Sequence, residues 1–472
     1  MICTPITAST VKEALDDIRE AKDADLIELR LDLINDISLS NLHRLIENKK
    51  KKVIVTDRKN RLDMIRKAIE LNSDFIDVDI SMGEKTIKEI ILHKNSSKII
   101  VSFHDFKKTD ISVIKKNYEK MASLGPDIIK IATFANDISD NKVIFDLIKD
   151  AKKENKRIIA LCMGEKGEIS RIIGPIFGSF ITFGSLEKGK ESAPGQVTAE
   201  KLKNIYRVDD LKDPKIFGLV GNPVSESRGY LIHNKSFNQL SLNNIYINFL
   251  VDNIGSFIGE FKDFFEGLSI TMPFKEKVMS SLDKIDPTTE KIGAVNTIVK
   301  DHGNLIGYNT DYIGAIKAIE NVIDIKGKNI FMLGAGGVAK AIAHGINEKK
   351  GNLFIFDIDK EKASQLAKKS KSHVFDDLNL IPDKADIVIN ATPVGMFPNV
   401  QRSPLAKEFL KKNMVVFDCI YNPIKTKLLS DADHIGCKTI SGIELFINQA
   451  IAQFELWTKK KAPRHIFEEV LL

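Results

Sequence analysis

Lys130 is the residue whose setting in this sequence most clearly suggests chemistry. It lies inside the apolar run Asp-Ile-Ile-Lys-Ile-Ala, where a charged side chain is costly unless it is paired or functional. Burial lowers the pKa of a lysine, and the resulting neutral amine can attack a ketone to form a Schiff base. A structural ion pair with Glu28 is the alternative interpretation. The sequence at this position therefore indicates either a nucleophile or a buried pair.

Other polar side chains interrupt the apolar runs of the first half of the chain. Glu28 and Arg30 stand two residues apart in one run, so both point to the same face of a predicted strand. The remaining ones end or follow later runs, and they are Arg58, His104, Arg171, Ser192 and Gln196. Because the C-terminal ends of parallel barrel strands meet at one rim, we expect these side chains to share a site.

Eight short β-rich runs of the first half would position these residues. Segments with apolar residues at helical spacing separate the runs, as in Thr10–Lys22 and Asp110–Leu124. The runs are Ile2–Ile6, Leu26–Leu31, Val53–Thr56, Phe75–Ile80, Ile99–Phe103, Ile128–Ala132, Arg157–Cys162 and Phe180–Phe183. Eight alternating strands and helices are what a (β/α)8 barrel requires, so residues 1–208 are predicted to form one.

The segment Asn329–Asp357 of the second half reads as strand, glycine turn, helix and second strand. Gly334, Gly336 and Ala339 have the G-x-G-x-x-G/A spacing of a dinucleotide-binding turn. The free N–H groups at the start of the following helix would face the phosphates of the cofactor. This segment predicts an α/β Rossmann-like domain that binds a nicotinamide dinucleotide.

Asp357 bears on the choice of cofactor. It ends the second predicted strand about 20 residues after the glycine turn, where an acid accepts hydrogen bonds from the adenosine ribose hydroxyls. A 2′-phosphate would require an arginine there, but the chain reads Asp357-Ile358-Asp359, and two carboxylates repel a phosphate. The residues alone therefore favour NAD.

Length and composition indicate a globular protein of more than one domain. The 472 residues exceed what one core usually covers, and 43% apolar with 28% charged residues is ordinary for globular domains. The net charge of +6 comes mainly from scattered lysines. The lysine runs Lys49–Lys52 and Lys459–Lys461 are too short to indicate a nucleic-acid partner. The four cysteines, which form no C-x-x-C pair, favour reduced thiols in a cytoplasm over disulfides or a metal site. No secretion signal or membrane span is predicted.

The polar residues of the first half belong to motifs that resemble type I 3-dehydroquinate dehydratase, namely IELRLD, SFHDFKKTD, GPDIIKIA, MGEKGEISR and SAPGQ. The resemblance implies that Lys130 forms an imine with the ketone of 3-dehydroquinate. It also implies that His104 removes the adjacent proton and then protonates the departing hydroxyl. The substrate contacts that it implies are Glu28, Arg30, Arg58, Arg171, Ser192 and Gln196.

One position departs from that family. Its members usually carry a glutamate and two glycines shortly after the third-strand arginine, and the glutamate orients the catalytic histidine. This chain reads Arg58-Lys59-Asn60-Arg61-Leu62-Asp63, without a glutamate. Asp79, at the end of the fourth predicted strand, is a candidate to replace it.

In the second half, Lys275 and Asp311 precede the glycine turn, but lysines in a lysine-rich chain usually face solvent. Their motifs nevertheless resemble shikimate dehydrogenase: GNPVSES, SITMPFKE, GAVNT, NTD, GAGGVAKAI, NATPVGM, YNP and GIELFINQA. The resemblance implies hydride transfer between a nicotinamide and the carbon bearing the 3-hydroxyl of shikimate, with Lys275 and Asp311 exchanging the proton. The implied substrate contacts are Ser227, Thr271, Asn296, Tyr421 and Gln449. The expected cofactor contacts are Gly334, Ala335, Gly336, Gly337, Asp357, Thr392, Cys419 and Gly442.

Two positions depart from the dehydrogenase family. Ser-Lys-Ser-Pro is replaced by Ser227-Arg228-Gly229-Tyr230, so one hydroxyl for the substrate carboxylate is missing, and Arg228 or Ser225 would have to compensate. The Asn-Arg-Thr that grips a 2′-phosphate is replaced by Asp357-Ile358-Asp359. The family favours NADP and the local charges favour NAD, so both cofactors stay open.

The two resemblances together imply a bifunctional dehydroquinate dehydratase–shikimate dehydrogenase, since the product of the first reaction is the substrate of the second. The expected domains are the barrel (1–208), a shikimate-binding domain (215–311, completed by helices 443–472) and a Rossmann-like domain (312–442), with a short polar join between the halves. The alternatives are a non-catalytic regulator derived from these enzymes and a dehydrogenase that prefers quinate. Partners are expected to be small molecules, and the sequence does not indicate an oligomeric state.

Overall fold

A computed structural model describes residues 1–47 and 49–471. The chain divides into two compact units. The first contains residues 1–215 together with 241–253, and the second contains residues 216–240 and 254–472.

The first unit contains a sheet of eight parallel strands. Its strands are β1 (Ile2–Ile6), β2 (Leu26–Arg30), β3 (Lys52–Thr56), β4 (Phe75–Asp79), β5 (Lys98–His104), β6 (Ile128–Phe134), β7 (Ile158–Met163) and β8 (Thr182–Phe183). Its helices are α1 (Val11–Glu20), α2 (Leu39–Glu47), α3 (Leu62–Glu70), α4 (Glu84–Leu92), α5 (Ile111–Ser123), α6 (Asp140–Lys153) and α7 (Glu168–Phe177). The hydrogen-bonded order is β7-β6-β5-β4-β3-β2-β1-β8, which is a nearly closed barrel. The unit also contains β10 (Asn244–Leu250).

Alternation along the strands assigns each side chain to one of two cores. In β6, Ile129 and Ile131 join the cluster between strands and helices, whereas Ile128 and Ala132 join the cluster inside the barrel. Because successive strand residues point to opposite faces, Lys130 shares the interior with Ile128 and Ala132. The same period places Glu28 and Arg30 on the inner face of β2.

The predicted barrel is confirmed, and its strands agree with the structure to within two residues at each end. The largest differences are β6, which continues to Phe134, and β8, which begins at Thr182. Helix α1 lies within the predicted segment Thr10–Lys22, where Thr10 caps the helix by accepting a hydrogen bond from the Glu13 N–H at 3.2 Å. The β-rich runs and the helical spacing of apolar residues therefore sufficed to locate these elements.

The second unit contains two sheets. The strands of the first are β9 (Lys215–Gly221), β11 (Gly267–Ile270), β12 (Lys284–Ile285), β13 (Thr297–Asp301) and β14 (Asn304–Tyr308). Within this unit their order is β9-β11-β13-β14-β12, in which β13 pairs antiparallel with both neighbours. The strands of the second sheet are β15 (Asn329–Leu333), β16 (Asn352–Phe356), β17 (His373–Val374), β18 (Ile387–Asn390), β19 (Val415–Asp418) and β20 (Lys438–Ile440). They are all parallel in the order β17-β16-β15-β18-β19-β20, as in a Rossmann-like fold.

The helices of the second unit follow the same chain order. They are α8 (Gly229–Gln239), α9 (Ile254–Phe261), α10 (Pro287–Ile292), α11 (Asp311–Glu320), α12 (Gly337–Glu348), α13 (Lys360–Ser370), α14 (Ile381–Lys384), α15 (Lys427–Ile435), α16 (Gly442–Thr458) and α17 (Arg464–Leu471). The predicted amphipathic segment 442–459 is confirmed as α16. Leu472, the last residue of the predicted domain, lies outside the described residues.

The glycine turn between β15 and α12 requires glycine for two reasons. Gly334 has φ +109°, a conformation that side chains disfavour, and a Cβ there would lie 2.8 Å from the backbone of Ala391. Ala339, fully buried in the core of this unit, packs α12 against the sheet. The predicted strand, turn and helix are thus confirmed in order.

Among the described residues, no helix is long and apolar enough to cross a membrane. The described part of the chain also contains no group of three or more His, Cys, Asp or Glu residues that could hold a metal ion.

Candidate active sites

A cavity of about 490 Å³ opens at the C-terminal ends of the barrel strands. Every barrel residue that the sequence analysis singled out as catalytic or substrate-binding lines it. These are Glu28, Arg30, Arg58, His104, Lys130, Arg171, Ser192 and Gln196. Phe106, Leu161, Met163 and Phe183 provide apolar wall. The cavity therefore combines a few converging polar groups with apolar surface, as small-molecule sites do.

Lys130 lies at the base of this cavity and is only 6% exposed. Its Nζ donates to Asp77 Oδ2 at 2.8 Å and lies 3.6 Å from Glu28 Oε1. The same Nζ is 4.4 Å from the centre of the Phe183 ring. The amine is thus held by two carboxylates and one aromatic face.

Asp77 is the closest partner of Lys130, and the sequence analysis, which named Glu28, missed it. Burial alone would raise the pKa of this fully buried carboxyl. The positive charges of Arg58 and Lys130 outweigh burial and hold the pKa well below its usual range. A signal was present, because Asp77 and Asp79 stand two apart in an apolar strand, as Glu28 and Arg30 do in β2.

His104 ends β5 and makes a contact through each ring nitrogen. Its Nδ1 lies 3.3 Å from Asp79 Oδ2, and its Nε2 lies 3.4 Å from Arg58 Nη2. Burial lowers the pKa of the imidazole, and the hydrogen bond with Asp79 opposes this effect only partly. His104 is therefore a neutral imidazole near pH 7, which is the form a general base needs.

The opposite wall of the cavity carries a buried guanidinium. Arg171 is 2% exposed; among the described residues its Nε has no hydrogen-bond partner, and its Nη2 donates to the Pro194 carbonyl at 3.4 Å. Burial lowers its pKa to about 10, so it stays charged. Beside it, Gln196 Oε1 accepts from the Ser192 N–H at 2.7 Å. An incompletely satisfied arginine in a cavity suits an anionic ligand.

Arg30, in contrast, is already paired. Its guanidinium makes two hydrogen bonds to the Asp32 carboxylate, at 3.0 Å and 2.7 Å. Arg30 reaches the cavity wall with its charge largely balanced.

In the second unit, the Lys275 Nζ donates to Asp311 Oδ2 at 2.6 Å. The other oxygen, Oδ1, accepts from Asn296 Nδ2 at 2.8 Å, and the Asp311 N–H donates to Asn309 Oδ1 at 3.0 Å. Asp311 is 4% exposed and begins α11. The pair is therefore fixed by side-chain amides at the start of a helix, not by further charges.

A hydrogen-bonded chain leads from this pair to α16. Asn296 Nδ2 donates to Thr310 Oγ1 at 3.0 Å, and that hydroxyl donates to Gln449 Oε1 at 3.4 Å. Lys275, Asp311, Asn296 and Gln449, which lie far apart in sequence, are thus brought together. The sequence analysis missed Thr310, which was visible only as part of the Asn-Thr-Asp motif.

The other expected shikimate contacts lie on neighbouring loops. Thr271 follows β11 and its N–H donates to the Val220 carbonyl at 3.0 Å, whereas Ser227 Oγ accepts from the Gly229 N–H at 3.2 Å. Burial raises the pKa of Tyr421, which is also influenced by the charge of Arg228. Within the described residues, the structure shows no hydrogen bond from Tyr421, Thr271 or Ser227 to the lysine–aspartate pair.

The glycine turn is braced by Asp357. Its Oδ2 accepts from the Ala335 N–H at 2.8 Å and its Oδ1 from the Asp359 N–H at 2.9 Å. Ile358 between the two acids is 94% exposed. The structure thus places a carboxylate and an apolar side chain at the end of β16.

The remaining expected cofactor contacts end later strands of the same sheet. Thr392 follows β18 and its hydroxyl donates to Asn390 Oδ1 at 2.7 Å. Cys419 follows β19, and burial raises the pKa of its thiol, so it stays protonated. Gly442 begins α16 so close to this loop that a Cβ would lie 2.4 Å from the Ile420 carbonyl oxygen. All three lie at the C-terminal edge of the parallel sheet, where dinucleotides bind.

The fold and these two arrangements define a class of protein: an enzyme with two catalytic parts, a lyase barrel and a nicotinamide-dependent dehydrogenase. Comparison with known families agrees. Residues 2–213 match the type I 3-dehydroquinase family, and residues 219–298 match the shikimate dehydrogenase substrate binding domain. Residues 316–434 match the shikimate / quinate 5-dehydrogenase family, and residues 442–472 match the shikimate 5′-dehydrogenase C-terminal domain.

A relative from Arabidopsis thaliana, the chloroplastic bifunctional 3-dehydroquinate dehydratase/shikimate dehydrogenase, is 36% identical over 100% of this chain and 84% of its own length. The chain belongs to this bifunctional family. The prediction of two enzymes in one chain is confirmed, and nothing in the comparisons supports a non-catalytic regulator.

Two solved structures resemble the second half. A shikimate dehydrogenase in complex with NADP⁺ is 38% identical, with a TM-score of 0.52 over 55% of this chain and 94% of that one. The shikimate 5-dehydrogenase of Listeria monocytogenes, in complex with shikimate and NAD, is 30% identical, with a TM-score of 0.53 over 56% of this chain and 98% of that one. A nicotinamide cofactor is supported, and similar proteins hold either form.

Proposed function

We propose that this chain dehydrates 3-dehydroquinate to 3-dehydroshikimate through an imine on Lys130 and then reduces 3-dehydroshikimate to shikimate at Lys275 and Asp311. The observation that carries the proposal is that the buried Lys130, hydrogen-bonded to Asp77, lines one cavity together with His104. We further propose that residues 1–208 carry the first reaction and residues 215–472 the second.

The setting of Lys130 suits a nitrogen that becomes permanently positive. In the first step the lysine lone pair forms the C–N bond, and the ketone oxygen leaves as water to give an iminium cation. Asp77 at 2.8 Å and Glu28 at 3.6 Å stabilise that cation. Protonated lysine is stabilised as well, so the amine must lose its proton as the substrate binds.

His104 then completes the elimination. Its Nε2 takes a proton from the carbon adjacent to the iminium, and the electron pair moves onto nitrogen as an enamine. The hydroxyl on the next carbon leaves as water, protonated by the same histidine. A second water hydrolyses the new iminium, which releases 3-dehydroshikimate and restores Lys130, so the net loss is one water.

Arg171 supplies the anchor for the substrate carboxylate. It is a buried, charged guanidinium with an unsatisfied Nε among the described residues, whereas Arg30 is already neutralised by Asp32. Ser192 and Gln196 close the same wall and offer hydrogen bonds to hydroxyls. A fixed carboxylate places the ketone near Lys130 at little entropic cost.

In the second half, Lys275 and Asp311 exchange the proton of the substrate hydroxyl. The bound nicotinamide supplies the hydride for reduction and accepts it in oxidation. In reduction the Lys275 ammonium donates a proton to the forming alkoxide, while Asp311, held by Asn296 and Asn309, fixes the amine. Asn296 and Gln449 are proposed to bind substrate hydroxyls, together with Ser227, Thr271 and Tyr421.

The residues around the glycine turn fit a dinucleotide. Gly334, Ala335, Gly336 and Gly337 leave the start of α12 open for the pyrophosphate. Thr392, Cys419 and Gly442 lie at the same edge of the sheet, where we place the nicotinamide.

For the adenosine end we propose a preference for NAD. Asp357 is an acceptor-only carboxylate that can take the ribose hydroxyls in addition to its two backbone N–H bonds. The exposed Ile358 brings no positive charge, and the nearby Lys362 is already paired with Asp359 at 3.1 Å. A 2′-phosphate would thus meet two carboxylates without an arginine.

The experiment is an assay of the purified chain with 3-dehydroquinate, and then with shikimate and either cofactor. Borohydride added with 3-dehydroquinate should trap a covalent adduct, which peptide mass mapping places on Lys130. An adduct on another lysine, or dehydration without any adduct, would refute the mechanism.

A further inference from the structure

The loop after β3 does not provide a carboxylate partner for His104. It contains no glutamate, and its second arginine, Arg61, is bound at 2.8 Å and 3.0 Å to Asp57 of the same loop and at 3.0 Å to the Leu31 carbonyl. Its last acid, Asp63, is exposed on the first turn of α3. Among the described residues, no carboxylate from positions 58–63 contacts His104.

The two contacts of His104 determine where its proton lies. Arg58 is always protonated and can only donate, so the Nε2 it faces at 3.4 Å must carry a lone pair. The proton of a neutral imidazole then sits on Nδ1, which points at Asp79 Oδ2 at 3.3 Å. Arg58 and Asp79 therefore select the same tautomer from opposite sides of the ring, and they leave Nε2 as the basic nitrogen.

Asp79 is itself held in place. Its Oδ1 accepts from the Ser81 N–H at 3.0 Å, and its Oδ2 lies 3.7 Å from Arg58 Nη1. Burial would raise its pKa, but the hydrogen bonds with His104 and Ser81 lower it to about 2. The carboxylate is thus ionised throughout the range in which His104 titrates.

Among the residues that the structure describes, the other groups around His104 do not offer its Nδ1 a second carboxylate. Arg58 and Lys130 bring positive charge, which disfavours the imidazolium, and Asp77 bonds to Arg58, Lys130 and Ser102. Phe106 stacks on the ring with the centroids 5.9 Å apart. Asp79 is therefore the carboxylate that can accept from Nδ1.

We propose that Asp79 is the positioning residue of His104 in this chain, taking from β4 the role that a loop glutamate has in similar enzymes. It fixes the Nδ1–H tautomer, aims Nε2 into the cavity and stabilises the imidazolium formed when Nε2 takes the substrate proton. The inference rests on the dehydratase proposed above.

The test compares Asp79→Asn with wild type at saturating 3-dehydroquinate. The amide keeps the volume but not the charge, so kcat should fall by about 10-fold or more, up to the ~10²–10⁴ that general-base catalysis supplies. KM should change by less than about twofold, because Asp79 does not anchor the substrate carboxylate. The imidazolium loses its carboxylate, so the pKa of His104 falls and the acid limb of the kcat–pH profile moves to lower pH.

Two further variants sharpen the result. Asp63→Asn removes the exposed acid that follows the loop and should leave kcat and the acid limb unchanged. Asp79→Glu keeps the charge, so it should recover part of the lost kcat and return the acid limb of the kcat–pH profile to its wild-type position. If Asp79→Asn lowers kcat but leaves the acid limb of the kcat–pH profile where it is in wild type, the role of Asp79 is merely structural and the proposal is overturned. An unchanged kcat in Asp79→Asn would overturn it as well.

Failure of this inference is distinguishable from failure of the dehydratase mechanism. Borohydride should still trap the Lys130 imine in Asp79→Asn, since His104 acts after the imine forms. If wild type yields no adduct, the imine mechanism fails. In that case the pKa of His104 can still be measured by NMR without substrate, with the His104 signal assigned from His104→Ala. Equal pKa values of His104 in wild type and Asp79→Asn would overturn the positioning role of Asp79.

Discussion

The two sites of this chain hold a lysine in opposite ways. In the barrel, Lys130 lies among Asp77, Glu28 and Arg58, so several opposite charges share one buried space. In the second unit, Lys275 has one carboxylate, Asp311, whose other contacts are neutral amides. A buried charge is tolerated only if it is compensated, and the chemistry determines how.

The difference agrees with the task that we propose for each lysine. A nitrogen that becomes an iminium benefits from carboxylates that stay ionised, and Arg58 keeps Asp77 in that state. A lysine that gives and takes one proton needs a single partner, because more negative charge would hold its proton too tightly. On the mechanisms proposed above, the barrel site would suit a lasting positive charge on Lys130 and the dehydrogenase site the exchange of a proton on Lys275.

The largest expected effect is that of Lys130→Ala. It should abolish dehydration and borohydride trapping, because no other side chain can form the imine, while shikimate oxidation continues. Both activities would be measured on one preparation, with Lys98→Ala, an exposed lysine at the start of β5, as the matched control. Residual dehydration above ~1% of wild type would contradict covalent catalysis by Lys130.

The converse change is Lys275→Ala or Asp311→Asn. Either should lower kcat for shikimate oxidation by ~10²–10⁴, the contribution of general acid–base catalysis, and leave dehydration intact. The control is Lys277→Ala, an exposed lysine two residues away. Equal loss of both activities in folded protein would show that the two sites are not independent.

Asp77→Asn tests whether the stability of the barrel depends on the buried ion pairs of Asp77 with Arg58 and Lys130. The amide leaves Arg58 and Lys130 without their fully buried partner, and breaking such a pair costs about 3–5 kcal/mol. The urea transition of the barrel should move to lower concentration, whereas exposed Asp63→Asn should not move it. An unchanged transition would mean that Glu28 and Asp79 suffice to balance the cations.

A smaller effect is expected at the cofactor site. Asp357→Asn with Ile358→Arg should shift the ratio of kcat/KM values towards NADP, because arginine binds a phosphate through two hydrogen bonds. The measurement is shikimate oxidation with each cofactor in wild type and the double variant. A wild-type preference for NADP above about a hundredfold, some 2.7 kcal/mol, would show that residues outside this strand end bind the phosphate.

The smallest effect concerns Gly229, where the dehydrogenase family has a serine. Gly229→Ser should lower KM for shikimate several-fold, since one added hydroxyl can donate to the substrate carboxylate, a contribution of about 1 kcal/mol. Turnover of quinate and shikimate would be compared in both proteins. If wild type prefers quinate, the alternative substrate left open by the sequence is correct.

The sequence by itself determined the elements and the chemistry available. The period of two in the second predicted strand placed Glu28 and Arg30 on one face, because alternation is a local property of a strand. The glycine spacing located the dinucleotide turn for the same reason, since the positive φ of Gly334 is a requirement of that one turn. Local rules of this kind need no knowledge of distant residues.

The tertiary structure alone decided which charges meet. Asp77 rather than Glu28 is the nearest partner of Lys130, and Asp79 rather than a loop acid reaches His104, because register and barrel curvature bring β4, β5 and β6 together at one rim. Likewise, Gln449 joins the chain from Asp311 only because α16 packs against α11. Such contacts join residues separated by tens to more than a hundred positions, and sequence spacing does not encode those distances.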